Sequence, residues 1–155
     1  MLLTLSLPGK SEQQKDFADI LSQSKYTILY FYPKDNTPGC TLEAQGFQVL
    51  YNEFANYKIQ IIWVSHDSHK SHCKFQDKYE LAFPLIADTE LSLHNDNRFQ
   101  TWAEKSMYGK KYMGSLRHSF LLDNTGTVIK KRDKVDTKNH AQEVLEFVKT
   151  IKNHL

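Results

Sequence analysis

The stretch Thr27–Cys40, TILYFYPKDNTPGC, joins a short apolar run to a turn and the expected start of a helix. The run TILYFY is rich in β-branched and aromatic residues, and its length suits a buried strand. In the part that follows, threonine is a favoured helix N-cap and proline is favoured at the first helical position. With Thr37 as the N-cap, Cys40 is the third helical residue. The sequence therefore predicts a cysteine in the first turn of a helix that directly follows a strand.

A cysteine at that position has the surroundings of a reactive thiol. The unpaired N–H groups and the dipole of a helix N-terminus favour negative charge, which lowers the pKa of a thiol and populates the thiolate. Gly39 leaves room for a small reactant beside the sulfur, and Pro33 is expected to wall off one side. Full ionisation gains only roughly 10- to 30-fold in thiolate near neutrality. A fast reaction therefore also needs donors around the attacked atom, such as the Thr37 hydroxyl, backbone N–H groups and an arginine.

Strands and helices alternate on either side of this stretch. Ile59–Ser65 predicts a second buried strand. Between the two strands, the segment Cys40–Tyr57 has apolar residues at spacings of three to five, which is typical of an amphipathic helix. Strand, helix and strand in this order predict a βαβ unit with parallel strands. The first residues, Met1–Gln14, are expected to form the first strand and turn.

The middle of the chain predicts shorter elements. We expect a second helix from about Ser68 to Tyr79, then a short strand within Phe83–Asp88 and a short helix over Thr89–Asp96. The least regular part runs from about Asn95 to Leu116 and is expected to be a long functional or packing loop.

The C-terminal part predicts a hairpin and a closing helix. His118–Asp123 and Thr127–Lys131 are expected to be two strands joined by an NTG turn. The last helix begins near Thr137 or Asn139, either of which can serve as its N-cap. Its apolar residues follow the i, i+3, i+4, i+7 pattern: Ala141, Val144, Leu145, Val148 and Ile151. All elements together predict a single α/β domain over residues 1–155, a thioredoxin-like fold with a central mixed β-sheet flanked by helices.

Composition narrows the function classes. The chain has 155 residues and a formal net charge of +2, and its densest basic cluster, Lys130–Lys134, is interrupted by Asp133. We expect that cluster to be a solvated strand edge, and we expect no nucleic-acid partner. No apolar stretch approaches the ~20 residues that span a bilayer. The N-terminus lacks the basic region of a secretion signal, so the expected location is the cytoplasm.

Further along, the residues resemble a known family. The segment FYPKDNTPGCTLEAQGF resembles the peroxiredoxin active site, P-x-x-x-T-x-x-C, with the motif on Pro33, Thr37 and Cys40. It is most similar to the branch of bacterioferritin comigratory protein, or peroxiredoxin Q. The similarity continues through VSHDSHKSHCKFQDKYELAFPLIAD and WAEKSMYGKKYMGSLRHSFLLDNTG into the last helix. It covers nearly the whole chain from about Tyr26, whereas the N-terminal segment is shorter than is usual in this branch.

The resemblance implies a thiol-dependent peroxidase that needs no metal or other cofactor. Cys40 would attack a hydroperoxide and become a sulfenic acid. Thr37, the Cys40 N–H and Arg117, which precedes the strand HSFLLD, would stabilise the transition state, and Glu43 would orient Arg117. The resemblance also implies thioredoxin or another thiol as the reductant, and a monomer.

The resemblance leaves open how the sulfenic acid is resolved. Many members of the branch have a resolving cysteine five residues after the first one, but Gln45 occupies that position here. Others have it in the second helix, at a position that corresponds to Gln76. Cys73 lies three residues earlier on nearly the same helical face. A Cys40–Cys73 disulfide is the favoured expectation, provided that the first turn around Cys40 unfolds. The alternative is a one-cysteine enzyme that uses an external thiol.

Two other functions compete with the peroxidase interpretation. A thioredoxin-like disulfide reductase normally uses C-x-x-C, which is absent. A metal-binding module is suggested by the spacing of His66, His69, His72 and Cys73, since two or three of them can meet on one helix. Histidines on a polar helix face are usually exposed, so we expect no metal there.

Overall fold

The computed structural model describes residues 1–133 and 138–153, and its side chains up to residue 150 with the same gap. In chain order the elements are β1 Leu2–Ser6, β2 Gln13–Asp16, α1 Phe17–Leu21, β3 Tyr26–Phe31, α2 Pro38–Val49, α3 Tyr51–Asn56, β4 Ile59–Ser65, α4 His69–Tyr79, β5 Leu85–Ala87, β6 Trp102–Met107, β7 Lys110–Ser115, β8 His118–Asp123, β9 Val128–Arg132 and α5 His140–Asn153. No helix in this described part is both long and apolar enough to cross a membrane.

One mixed sheet organises the molecule. Its seven strands lie in the order β2-β1-β5-β4-β3-β8-β9. β3 and β4 are parallel, as the βαβ prediction requires, and β4 and β5 are parallel as well. β8 runs antiparallel to β3 on its other side. The thioredoxin-like arrangement predicted from the sequence, a central mixed sheet flanked by helices, is confirmed by this sheet.

The alternation of side chains along the central strands builds a core on each face of the sheet. On one face, Tyr30 and Trp63 pack with Phe47 of α2, Phe75 of α4 and Leu145 of α5. The opposite face is covered by α1 and by the segment 88–101, and its core is a second cluster of aromatic and aliphatic side chains. Because β3 is buried on both faces, its sequence is an almost unbroken apolar run.

The register of β8 determines where the site forms. Phe31, the last residue of β3, pairs with His118, the first residue of β8. The chain leaves β3 toward α2 at this edge of the sheet, and it enters β8 at the same edge. Arg117, which precedes β8, is thereby brought beside the start of α2, although 77 positions separate it from Cys40.

Three expected elements differ from the structure. The helix predicted over Cys40–Tyr57 is divided into α2 and α3 at Leu50, whose ψ of 5° departs from helical geometry. The predicted helix Thr89–Asp96 is a series of turns. Leu91 there has a φ of 64°, and the Asp88 carboxylate accepts the backbone N–H groups of Leu93 and His94, which replaces helical bonding.

The third difference is the segment expected to be a loop from about Asn95 to Leu116. Most of it is the hairpin β6–β7, a separate two-stranded antiparallel sheet. Tyr108 and Gly109 both have positive φ, which is the requirement of a two-residue type I′ turn. Most of the hairpin's side chains are partly or fully exposed, so no apolar alternation reveals the strands in the sequence.

The N-terminal part of the chain has more regular structure than predicted, and the C-terminal part is close to the prediction. The N-terminal segment supplies β1, and β2 and α1 as well. β9 is an edge strand and carries Lys130, Lys131 and Arg132, whereas Lys134 lies outside the described residues. α5 begins at His140, directly after Asn139. The other proposed N-cap, Thr137, and the side chain of Ile151 lie outside the described residues.

Candidate active site

Cys40 lies in the first turn of α2, as the Thr-Pro-Gly-Cys motif predicts. Thr37 occupies the N-cap position with extended backbone, and Pro38 is the first helical residue. The Thr37 hydroxyl makes no cap hydrogen bond and instead donates to the Lys34 carbonyl oxygen at 3.1 Å. Cys40 is fully buried, whereas Thr37 and Pro33 are partly exposed. The sulfur therefore lies just beneath the surface, under the loop that carries the motif.

Arg117 brings a cation to the cysteine. Its Nη1 donates to Cys40 Sγ at 3.5 Å, to Glu43 Oε1 at 3.0 Å and to the Tyr30 hydroxyl at 3.1 Å. Glu43, one turn after Cys40 on α2, has a fully buried side chain, and that of Arg117 is 26% exposed. A guanidinium held by a buried carboxylate is fixed in orientation, so its N–H groups stay directed toward the sulfur.

The Glu43 carboxylate is satisfied by three donors. Tyr30 donates its hydroxyl to Oε1 at 2.7 Å, beside the Arg117 bond. The other oxygen, Oε2, lies 2.9 Å from Nδ1 of His140. Nε2 of His140 in turn lies 2.9 Å from the hydroxyl of Ser119 on β8. The site is thus a continuous hydrogen-bonded chain that draws on β3, α2, β8 and α5.

The electrostatics of this hydrogen-bonded network keep two of its donors, Tyr30 and Arg117, protonated. Burial raises the pKa of Tyr30 far above its ordinary value, and the Glu43 carboxylate raises it further. Burial alone would lower the pKa of Arg117, but Tyr30, Cys40 and Glu43 outweigh it and raise the net value. Arg117 is therefore a permanent cation and Tyr30 a permanent hydroxyl donor at any physiological pH.

The hairpin β6–β7 borders the site. Lys105 on β6 donates from Nζ to the Ser115 carbonyl oxygen at 3.0 Å. Burial and the positive charge of Arg117 lower the pKa of Lys105, and the nearby Cys40 sulfur partly offsets them. A second basic side chain thus lies within electrostatic reach of the cysteine.

The loop before Cys40 is fastened to α4 through Asp35. Its buried carboxylate accepts from the Tyr32 hydroxyl, from Ser71 Oγ at 2.8 Å and from Nδ1 of His72 at 2.7 Å. The Asp35 backbone N–H donates to Asp67 at 2.9 Å. These contacts link the segment that carries Cys40 to the helix that carries Cys73.

Asn36 adds a second fastening of the same loop. Its Oδ1 accepts from the Tyr79 hydroxyl at 2.8 Å. Its φ of 57° is in the left-handed region, which asparagine tolerates better than most residues. The loop is therefore held on α4 at two consecutive residues.

Cys73 is a free thiol on a different side of α4. It follows His72, which faces Asp35, so it is rotated by about 100° from that direction. Its Sγ lies 3.4 Å from Nε2 of His69, whose Nδ1 lies 2.7 Å from Ser6 Oγ on β1. Burial raises the pKa of the Cys73 thiol, and Asp77 raises it further. Gln76, the position to which the resemblance assigns a resolving cysteine, is buried and donates to the Ser6 and Phe83 carbonyl oxygens.

Of the four residues of the histidine-rich segment, only His69 and Cys73 contact each other, and His66 and His72 have other partners. His72 is fully buried between Asp35 and the Ile86 carbonyl oxygen, which corrects the expectation of exposed histidines. His66 is exposed and lies 3.1 Å from the Thr89 carbonyl oxygen. Within residues 1–133 and 138–150, no group of three or more metal-ligating side chains is assembled to hold an ion.

The structure brings three of the predicted site residues together, namely Cys40, Glu43 and Arg117. Pro33 and Thr37 lie in the adjoining loop, and Cys73 lies apart on α4. The sequence interpretation missed three members of the hydrogen-bonded network, which are Tyr30, Ser119 and His140. It also missed Lys105 on the hairpin that borders the site. One signal was available for Tyr30, because a tyrosine hydroxyl in a strand buried on both faces requires a partner.

Comparisons with known proteins identify the family of this chain. Residues 2–131 match the model of the AhpC/TSA family. The chain is 45% identical to peroxiredoxin Bcp of Bacillus subtilis over 145 residues, which cover 94% of this chain and 90% of that protein. It is 43% identical to peroxiredoxin Bcp of Xanthomonas campestris over 124 residues, 80% of this chain and 76% of the relative.

Solved structures give the same result. Peroxiredoxin Q of Xanthomonas campestris has a TM-score of 0.81 and 39% identity, covering 96% of this chain and 90% of its own. PrxQ of Xylella fastidiosa has a TM-score of 0.86 and 34% identity, with coverages of 98% and 89%. A structure of the Xanthomonas campestris bacterioferritin comigratory protein, with a TM-score of 0.82, 38% identity and coverages of 96% and 89%, was studied for alkyl peroxide reduction. The chain therefore belongs to the AhpC/TSA family, in its Bcp or peroxiredoxin Q group of thiol-dependent peroxidases.

Proposed function

We propose that this chain acts as a single domain that reduces hydroperoxides with Cys40 as the attacking thiol. The observation that carries the proposal is the contact of Arg117 Nη1 with Cys40 Sγ at 3.5 Å. A permanent cation against a first-turn sulfur attracts negative charge and also faces the position where an attacked oxygen would lie.

In the reaction, the Cys40 thiolate attacks one oxygen of the hydroperoxide. An S–O bond forms while the O–O bond breaks, and the second oxygen leaves with the electron pair and takes up a proton to give water or an alcohol. The sulfur is oxidised to a sulfenic acid and the peroxide is reduced. Charge spreads along S–O–O in the transition state. Arg117, the Cys40 backbone N–H and the Thr37 hydroxyl, once it turns away from the Lys34 carbonyl oxygen, stabilise that charge.

The remaining residues hold these groups in place. Glu43 fixes Arg117 through Oε1, and Tyr30 bridges the two. Pro33, in the loop above the sulfur, limits access of water. Alkyl peroxide reduction is described for the Xanthomonas campestris relative. For this chain we propose hydrogen peroxide and organic hydroperoxides as substrates.

We assign resolution to Cys73, as an intramolecular disulfide. Its thiol attacks the Cys40 sulfenic acid, so that an S–S bond forms, the S–O bond breaks and the hydroxide leaves as water. Since burial and Asp77 keep this thiol protonated near neutrality, a proton acceptor is needed, and His69 Nε2 at 3.4 Å is placed to accept the proton. Cys40 is buried and Cys73 faces away from the Asp35 loop, so the first turn of α2 must open for the sulfurs to meet.

The cycle closes when an external dithiol reduces that disulfide. Thioredoxin is the reductant we propose, and the cytoplasm is the compartment, because it keeps both thiols reduced between turnovers. A monomer suffices for this cycle, since both cysteines are supplied by one chain.

Intact mass spectrometry tests the proposal. The fully reduced protein receives one equivalent of hydrogen peroxide, and a thiol-blocking reagent follows within seconds. We expect a loss of two hydrogens and two unblockable thiols in the wild type. In Cys73→Ser we expect one added oxygen on Cys40, and in Cys40→Ser no change at all.

Other outcomes have defined meanings. Added oxygen on Cys40 of the wild type, with Cys73 still blockable, would show a one-cysteine enzyme that uses an external thiol. Undiminished peroxide turnover by Cys40→Ser would remove the proposed function itself.

A further inference from the structure

His140 is a buried titratable group that the reaction described above does not use. It is the first residue of α5 and only 1% exposed. Its imidazole lies between the rings of Tyr30, at 4.8 Å between centroids, and Phe47, at 5.2 Å. Both ring nitrogens have partners, Glu43 Oε2 at 2.9 Å and Ser119 Oγ at 2.9 Å.

These partners define where the imidazole carries its proton. Glu43 Oε1 already receives the Tyr30 and Arg117 donors, and an ionised carboxylate can only accept at Oε2. His140 therefore carries hydrogen on Nδ1 and donates it to Glu43. When the imidazole is neutral, Nε2 is then an acceptor for the Ser119 hydroxyl.

We propose that His140 is a positioning residue for peroxide reduction, with Glu43 setting its tautomer and Ser119 holding its ring through Nε2. His140 holds Oε2 of Glu43, which keeps Oε1 directed at Arg117, and Arg117 is thereby kept against the Cys40 sulfur. The inference rests on the proposed function and extends its site across the sheet to β8 and α5.

Burial strengthens the hydrogen bond between His140 and Glu43. Neither the Glu43 side chain nor His140 is accessible to solvent, so no bulk water replaces the Nδ1 donor when it is lost. A carboxylate with one unsatisfied oxygen is free to rotate toward another donor, and Arg117 would move with it. The close approach of α5 to α2, where Ala141 packs on Gly46, leaves His140 directly beside Glu43.

Two substitutions of similar size separate the roles of the ring nitrogens. In His140→Asn the side-chain amide nitrogen falls near the former Nδ1, so the donor to Glu43 is retained. In His140→Gln the amide reaches the former Nε2 and Ser119, and the donor to Glu43 is lost. The peroxide reaction of Cys40 is followed by stopped flow, and iodoacetamide alkylation of Cys40 in the Cys73→Ser background reports the thiolate alone.

We expect His140→Gln to slow the peroxide reaction by about tenfold or more, as the loss of a buried charge-assisted bond implies. His140→Asn should stay within about threefold of the wild type in both reactions. In His140→Gln alkylation should fall by less than the peroxide rate, because displacement of Arg117 removes a donor to the transition state as well as the positive charge beside the sulfur. Equal peroxide rates for the two variants would overturn the proposal, as would alkylation that falls in parallel with the peroxide rate in His140→Gln.

Ser119→Ala gives an independent test if position 140 does not tolerate substitution. It removes only the hydroxyl that holds Nε2 of the ring, and we expect a severalfold slower peroxide reaction with a smaller change in alkylation. An unchanged peroxide rate would overturn the role of Ser119 and His140. A wild-type protein that does not react with peroxide at all is a different result, because it contradicts the proposed function and not this inference.

Discussion

Nη1 of Arg117 lies 3.5 Å from Sγ of Cys40, and the same nitrogen contacts Glu43 Oε1 at 3.0 Å. One nitrogen thus joins the reactive sulfur to the buried carboxylate that fixes it. The arrangement depends on the pairing of Phe31 with His118, which brings two distant parts of the chain to one edge of the sheet.

Arg117→Ala should slow oxidation of Cys40 by peroxide by roughly 10²- to 10³-fold, as expected when a donor to developing negative charge is removed. Arg117→Lys should fall between this variant and the wild type, since a lysine cannot donate to Cys40, Glu43 and Tyr30 from one planar group. Stopped-flow measurement of the oxidation rate checks both.

Arg132→Ala is the matched control, because this arginine on the edge strand β9 pairs only loosely with Glu143, at 3.7 Å. Its oxidation rate should equal that of the wild type. A wild-type rate in Arg117→Ala would show that the arginine has no part in the reaction.

Cys73 should react slowly with alkylating reagents near neutrality. Burial and Asp77 raise the pKa of its thiol above the ordinary value of 9.0, so the thiolate fraction at pH 8 is smaller than that of a free cysteine. In Cys40→Ser, where it is the sole cysteine, iodoacetamide labelling should rise about tenfold per pH unit through pH 9 before it levels off.

Asp77→Asn in the same background should shift that labelling profile toward lower pH, because it removes a neighbouring negative charge. Lys74→Gln, at an exposed position on the same helix, serves as a charge-changing control that should not produce this shift toward lower pH. A labelling midpoint below pH 9 in Cys40→Ser would contradict the predicted slow reaction of Cys73.

The sequence predicted the part of the site that is local along the chain. The N-cap threonine, the proline and Cys40 are read from one short segment, and Glu43 follows one turn later. Ile59–Ser65 and His118–Asp123 coincide with β4 and β8, because buried strands have strong apolar patterns. Arg117 was found only through resemblance to a family, since nothing in its local sequence distinguishes it from a surface arginine.

The parts that were missed depend on distant contacts or on weak patterns. His140 lies 97 positions from Glu43, and its helix pattern gives no reason to single it out. The hairpin β6–β7 has too few buried side chains to show a period of two. The turns over 89–96 form because the Asp88 carboxylate competes with helical hydrogen bonds, which requires the fold to bury that carboxylate.

Asp88 should make stability depend on pH in acid. Burial raises the pKa of its carboxyl, but hydrogen bonds from the His94 side chain and from the backbone of His94 and Leu93 outweigh burial and lower it. A lowered pKa contributes stability that is fully present above the ordinary value of 3.8 and is lost as pH falls through the lower folded value.

Asp88→Asn should therefore reduce the free energy of unfolding by about 2–3 kcal/mol at pH 7 and by less at pH 3. Urea unfolding at both pH values measures this, with Asp19→Asn as an exposed control that should change little at either. The same loss at pH 3 as at pH 7 would show that the Asp88 charge is not what stabilises the turns.

Ser71→Ala should speed formation of the Cys40–Cys73 disulfide by roughly 2- to 10-fold, because it removes one hydrogen bond that holds the Asp35 loop on α4. Quenched-flow mass spectrometry follows the disulfide after one equivalent of peroxide. Ser68→Ala is the control, since its hydroxyl caps α4 without contacting the loop. Equal rates in Ser71→Ala and wild type would mean that opening of the loop does not limit the step.

In the proposed cycle, the hydrogen bonds of Asp35 with His72 and Ser71 also set how long the Cys40 sulfenic acid survives. While the loop stays closed, the oxidised sulfur remains beside Arg117 and is open to a second peroxide, which converts it to a sulfinic acid that thiols cannot reduce. Opening of the loop rescues the sulfur as a disulfide. The strength of a few hydrogen bonds on one aspartate therefore fixes the peroxide concentration above which the protein inactivates itself. The rate at which the loop opens decides between disulfide formation and overoxidation.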